Sequence, residues 1–207
     1  MDYFTAKTFQ IPALIGISAK NIEEHMKLYA GYVKFANYIQ TKIKELSAPA
    51  RTTDGVQSGG DAEKNAYEIA ELQRRFAFEH DGMKNHEIYF ASLEGGARPL
   101  SMESGLGLQV IKDFGSYDAF LARLKALAMT RGVGWAMLYY CSETGHLLTQ
   151  WVDEQHLGHL NGPKCILAID MWEHSFVFDY QPSGKKQYVE DFFANLNWSK
   201  VEERFGN

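Results

Sequence analysis

At 207 residues the chain is long enough to bury roughly 70% of its unfolded surface, so a core can form without help from disulfides or metal. A net charge of −5 excludes general attraction to nucleic acid or anionic membranes, and 14% aromatic residues, with thirteen Phe and four Trp, exclude a disordered chain. Two cysteines, Cys141 and Cys165, are too few for a disulfide scaffold and read as buried thiols of a reducing, cytoplasmic setting, and no apolar run approaches the ~20 residues of a membrane span.

The N-terminal residues lack a charged segment followed by a long apolar stretch, so the chain reads as unexported. From Ser18 to Leu46 the pattern is helical, with Ser18 as N-cap and a stripe through Ile22, His25, Tyr29, Tyr32, Ala36, Ile39 and Ile43. Residues 47–60 read as a connection. A second helical pattern then passes Ile69, Leu72 and Phe76 toward His86 and Phe90, making an antiparallel helical hairpin. The break Gly95-Gly96-Ala97-Arg98-Pro99 sets a domain boundary, with residues 1–96 on one side and 97–207 on the other. Beyond it come helical segments near Ile111 and over 116–128, then strands over 135–141, 147–152 and 164–169. The final helices cover 188–196 and 199–205. The fold class is therefore α+β, a helical hairpin followed by a three-stranded antiparallel sheet flanked by helices.

The third strand ends in Asp170-Met171-Trp172-Glu173-His174-Ser175-Phe176. Burying a carboxylate costs several kcal/mol unless it is paired, hydrogen-bonded or bound to a metal, so Asp170 needs compensation. A capping or salt-linked aspartate would supply it, and so would a cation shared with His174. Mixed imidazole and carboxylate donors suit iron, manganese or zinc.

This run resembles the iron/manganese superoxide dismutase family. Gly134-Trp135-Ala136, Asn85-His86, Gly31-Tyr32-Val33, the segment 111–120, Tyr188-Val189-Glu190-Asp191-Phe192 and Asn197-Trp198 all match in the same order, covering about residues 20 to 205. The resemblance implies dismutation of superoxide to dioxygen and hydrogen peroxide at one Fe or Mn ion per subunit. It implies a homodimer or tetramer, and His86, Asp170 and His174 as three metal ligands.

The first ligand departs from the family spacing. The position eight residues before Tyr32 is Glu24, and His25 follows it. At about 100° per residue, His25 lies within roughly 20° of Tyr32 around the helix and Glu24 about 80° away, so His25 is favoured over Glu24. A one-residue adjustment such as a π-bulge would bring it to the metal.

The resemblance also implies Tyr32 as the gateway tyrosine and Glu173 as a bridge to the partner subunit's ligand histidine. Gly82 stands where iron-type members carry an outer-sphere glutamine, so that role passes to the loop after the second strand, to Gln155 ahead of His156. Leu28 and Phe176 replace a histidine and a tyrosine that meet across the family's dimer interface, which implies an altered channel with Tyr29 as a substitute. Trp135, Trp172 and Phe90 read as the apolar wall. His156 and His159 make only a weak second metal motif. The alternative function is a non-enzymatic metal-binding relative that has lost dismutase activity.

Overall fold

The computed structural model of the protein describes residues 3–48 and 61–206. Helix α1, Ala19–Ser47, starts where Ser18 accepts a hydrogen bond from the Asn21 amide at 3.1 Å, satisfying one of the open N–H groups of the first turn. A short helix α2, Asp61–Lys64, precedes α3, Ala66–Ala91. Near the start of α1, His25 meets Phe90 near the end of α3, and at the other end the Asn65 side chain donates to the Leu46 carbonyl. The two long helices are therefore antiparallel. Most of the connection expected over 47–60 lies outside the described residues.

The stripe read on α1 is the buried face: Ile22, His25, Tyr29, Tyr32, Ala36 and Ile39 are all buried. Burying this face drives the helix onto its neighbours, because intrinsic propensity contributes little beside packing.

Helices α4, Gly105–Phe114, and α5, Tyr117–Ala128, are capped by Ser104 and Ser116. Strands β1, Gly134–Cys141, β2, His146–Asp153, and β3, Lys164–Asp170, form one antiparallel sheet in the order β2-β1-β3. The central strand β1 is buried at every position except Tyr140. Its register sets Trp135 opposite both Val152 and Asp170. One end of the sheet thus presents Trp135, the last residues of β2 and the carboxylate of Asp170 together.

A 3-10 turn over Glu173–Ser175 follows β3, and helices α6, Lys185–Asn195, and α7, Trp198–Gly206, complete the fold. Helix α6 starts three residues earlier than its apolar pattern shows, because its first turn, Lys185-Lys186-Gln187, has no apolar residue to mark it. Cys141 and Cys165 are both free thiols, the first buried and the second half-buried. No described helix is long and apolar enough to cross a membrane.

Candidate metal centre

Four residues from four elements converge: His25 on α1, His86 on α3, Asp170 at the end of β3 and His174 in the 3-10 turn that follows. Their donor atoms lie within 4.8 Å of one another, and among the described residues they are the one such group of His, Cys, Asp and Glu. Asp170 Oδ2 is the focus. His25 Nε2 stands 3.0 Å from it, His174 Nε2 3.2 Å and His86 Nε2 3.5 Å.

Asp170, His174 and His86 are oriented by their surroundings. The Trp172 amide donates to Asp170 Oδ1 at 2.9 Å and leaves Oδ2 to the cluster. The Asp170 carbonyl accepts from the Tyr188 hydroxyl at 2.9 Å and from Ser175 Oγ at 3.0 Å. The 3-10 turn brings His174 back over Asp170. His86 Nδ1 donates to the Gly82 carbonyl at 2.6 Å, which fixes the tautomer and leaves a bare lone pair on Nε2.

That lone pair is the test of fit for a metal. His86 Nε2 is fully buried, has no hydrogen-bond partner and faces a carboxylate oxygen. A lone pair aimed at an anion in a dry interior is repulsive, and a cation between them reverses the sign. Donor separations of 3.0 to 3.5 Å also suit a coordination sphere with bonds of ~2.1 Å. The residues present fit a first-row ion.

Burial holds His25 and His86 neutral. It lowers the His86 pKa to about 3 and lowers that of His25, although Asp170 pulls His25 the other way. For Asp170, burial pushes the carboxyl up, but the imidazoles of His174 and His25 outweigh it and keep the group ionised. An ionised Asp170 beside neutral His25 and His86 is the protonation that metal binding requires of these three groups.

Gln155 follows β2 and is fully buried. Trp135 Nε1 donates to its Oε1 at 2.9 Å, so its Nε2 points away and donates to the Tyr32 hydroxyl at 2.9 Å. Glu154, at φ 51, is the one described non-glycine residue in the left-handed region, and that turn swings Gln155 inward. Asn85 Nδ2 and His159 Nε2 both reach the Gln155 carbonyl, at 2.9 and 3.1 Å. Tyr32 fills the space beside Gly82, where a Cβ would stand 2.7 Å from its Cδ1. Burial first, and the charge of Asp170 second, raise the Tyr32 pKa, so the phenol keeps its proton.

Trp135 lies edge-on to His86 with ring centres 5.0 Å apart, Phe90 meets His25 at 4.9 Å, and Trp172 stacks on His174 at 5.8 Å. These three rings pack against the imidazoles of the cluster.

Several expectations need correction. Helix α1 is α-helical without a π-turn, because a spacing of seven already places His25 and Tyr32 on one side. Glu24 is exposed and paired with Lys20 and Lys27 at 2.7 and 2.9 Å, away from the cluster. Tyr29 does not line a channel: its hydroxyl accepts from the Lys7 amide and donates to Glu87. Phe176 is turned inward, stacked on Tyr188 at 5.4 Å, and Val177 is the residue that shares a surface hollow with Leu28, Glu173 and His174. His156 packs its ring edge against Phe78, while His159 binds Tyr139 and the Gln155 carbonyl, so the two make no metal pair.

Glu173 is exposed and makes no side-chain hydrogen bond within the described residues. Sequence reasoning missed the supporting contacts of Asn85, His159 and Tyr188. The only trace of them is proximity to motif residues.

Fold and site together define an α+β protein with a three-histidine, one-aspartate group, buried except for the half-buried His174, that could hold one metal ion. The family model for iron/manganese superoxide dismutases, C-terminal domain, matches residues 102–204. An iron superoxide dismutase of Aquifex pyrophilus is 34% identical over 193 residues, 93% of this chain and 85% of the relative. One of Cupriavidus metallidurans is 33% identical over 198 residues, 93% and 90% of the two chains. A manganese superoxide dismutase of Mycobacterium leprae is 34% identical over 184 residues, 87% and 80%. The chain belongs to the iron/manganese superoxide dismutase family.

Proposed function

We propose that this protein dismutates superoxide at a single iron or manganese ion held by His25, His86, Asp170 and His174. The observation that supports it most is the buried, unpartnered Nε2 of His86 facing Asp170 Oδ2 beside two further imidazoles. Bound there, the ion would supply the reversible one-electron change by which one superoxide is oxidised to dioxygen and the next reduced to hydrogen peroxide.

The chain's own residues handle protons and access. Trp135 locks the Gln155 amide so that only its N–H groups face Tyr32, and the Tyr32 phenol, kept protonated by burial, is the group positioned to relay a proton inward. Trp135, Trp172 and Phe90 exclude bulk water around the donors.

The chain acts as a cytoplasmic antioxidant enzyme, consistent with its free thiols. It pairs as a homodimer through the hollow lined by Leu28, Glu173, Val177 and Phe178, where Glu173 is free to meet the partner's copy of His174. Residues 1–96 and 97–207 act as two domains that close on the metal from opposite sides.

The test is to load the metal-stripped protein separately with iron and manganese and to measure metal content and superoxide consumption. One ion per chain and turnover with at least one metal are expected. Gln155→Ala is expected to keep the ion and lose most turnover. Full metal content without turnover in the parent protein would replace this reading with that of a metal-binding relative.

A further inference from the structure

We infer that Arg75 is the cation that guides anionic substrate to the Tyr32 gateway, a role that rests on the function proposed above. The protein is net negative, and Glu154 and Glu173 lie exposed around the site, so an approaching superoxide meets repulsion unless a local cation offsets it. Three cations on the two site-bearing helices are spent on exposed carboxylates: Lys20 and Lys27 on Glu23 and Glu24, and Arg74 on Glu71.

Arg75 is placed differently. Its guanidinium carbon lies 3.7 Å over the centre of the Phe78 ring, and that ring sits 6.0 Å from Tyr32, 5.7 Å from His156 and 6.5 Å from Trp172. Phe78 is half-buried, so this aromatic rim opens to solvent beside Tyr32. The guanidinium is therefore no more than about 10 Å from the Tyr32 ring, inside the Debye length at low salt. It is the one described Lys or Arg recorded against this rim.

Arg75 does have a partner, since its Nε donates to Glu79 Oε1 at 3.1 Å. The pair is asymmetric in burial: the Arg75 side chain is 52% exposed and that of Glu79 only 9%. Solvent therefore meets the positive end first. Stacking on Phe78 holds the charge at the rim, and the buried carboxylate beneath it fixes its position.

A purely structural role would leave the salt response of the reaction unchanged, so ionic strength is the discriminating variable. For a single charge at this distance the expected effect is about two- to fourfold on kcat/KM at ~10 mM salt, fading above ~0.3 M as screening shortens to a few ångströms. Arg75→Ala should lower kcat/KM by that factor at low salt with kcat unchanged, and Arg75→Lys should restore it. Arg75→Glu should invert the trend so that salt accelerates the reaction. Glu79→Gln, which keeps the side-chain shape and removes the counter-charge, should steepen the parent's salt dependence.

A second readout is independent of turnover: the association rate of azide, a small monoanion, with the iron-loaded protein followed optically. The same ordering of variants is expected. If Ala and Glu variants match the parent's salt dependence in both assays, Arg75 does not steer. If azide association follows the charge series while superoxide is not consumed, the steering stands and the dismutase reading falls.

Discussion

Gly82→Ala isolates the contact that holds Tyr32 in place. The added methyl carbon would stand 2.7 Å from Tyr32 Cδ1, 2.9 Å from Cε1 and 3.1 Å from Cγ. The ring has little freedom to yield, because Gln155 holds its hydroxyl and the His86 and Phe78 rings flank it at 5.1 and 6.0 Å. Overpacking of this kind costs about 1–3 kcal/mol, while replacing a mid-helix glycine by alanine recovers about 1 kcal/mol. The net expectation is a loss of up to about 2 kcal/mol, which for a chain of this size lowers Tm by up to roughly 8 °C.

Gly31→Ala on α1 supplies the control, since nothing lies within 4 Å of its added carbon. There only the propensity gain applies, and Tm should rise by roughly 2–4 °C. The difference between the two alanine variants in thermal melts of the metal-loaded protein thus reads the overpacking directly. In superoxide assays, displacing the Tyr32 ring from Gln155 should cost on the order of ten- to a hundredfold, whereas the Gly31 variant should keep full activity. Equal melting temperatures and equal activities for the two variants would refute this packing.

His25→Ala should abolish metal retention, while Glu24→Ala, which removes only exposed ion pairs, should leave stability nearly unchanged and metal content unchanged. Retention of metal by the first variant would count against His25 as a donor.

The metal-stripped protein should lose stability in acid. His86 is held neutral with a pKa of about 3 against 6.5 for the free side chain, so the unfolded chain gains a proton below pH 6.5 that the folded chain refuses. The stability present above pH 6.5 therefore falls as the pH drops toward 3, by on the order of 4 kcal/mol at about 1.4 kcal/mol per unit, and His25 acts in the same direction. Denaturant melts that stay flat from pH 7 to 4 would contradict this. Glu173→Ala should shift sedimentation toward the monomer while leaving each subunit folded, and unchanged association would remove Glu173 from the interface.

The parts of this molecule that were legible in its sequence are those with a period or a motif. The α1 stripe, the three strands and the hairpin of long helices follow from spacing, and the same angular reasoning placed His25 beside Tyr32. What stayed illegible depends on side chains that reach distant backbone. Asn85 meets the Gln155 carbonyl across 70 positions, and Tyr188 meets that of Asp170 across 18, and such bonds leave no periodic trace. The error of one residue at Phe176 has a local cause. A 3-10 turn has about three residues per turn, so neither the strand nor the α-helical period says which of residues 176 and 177 faces outward.

The spacing of the four donors along the chain also bears on when the ion is acquired. Asp170 and His174 are neighbours in sequence, but His25 lies 145 positions from Asp170, and no local segment brings more than those two donors together. Loop closure over such a span is slow and gains nothing until α1, α3 and the sheet have docked. With the ion held as proposed, metal capture is expected to complete folding instead of nucleating it. With His25 and His86 buried beneath the aromatic rings, release of an ion held as proposed is expected to require α1 or α3 to lift from the sheet. Exchange of iron for manganese in the folded protein should run at the rate of that opening, so the metal found in the mature enzyme reflects which ion was present as the chain first closed.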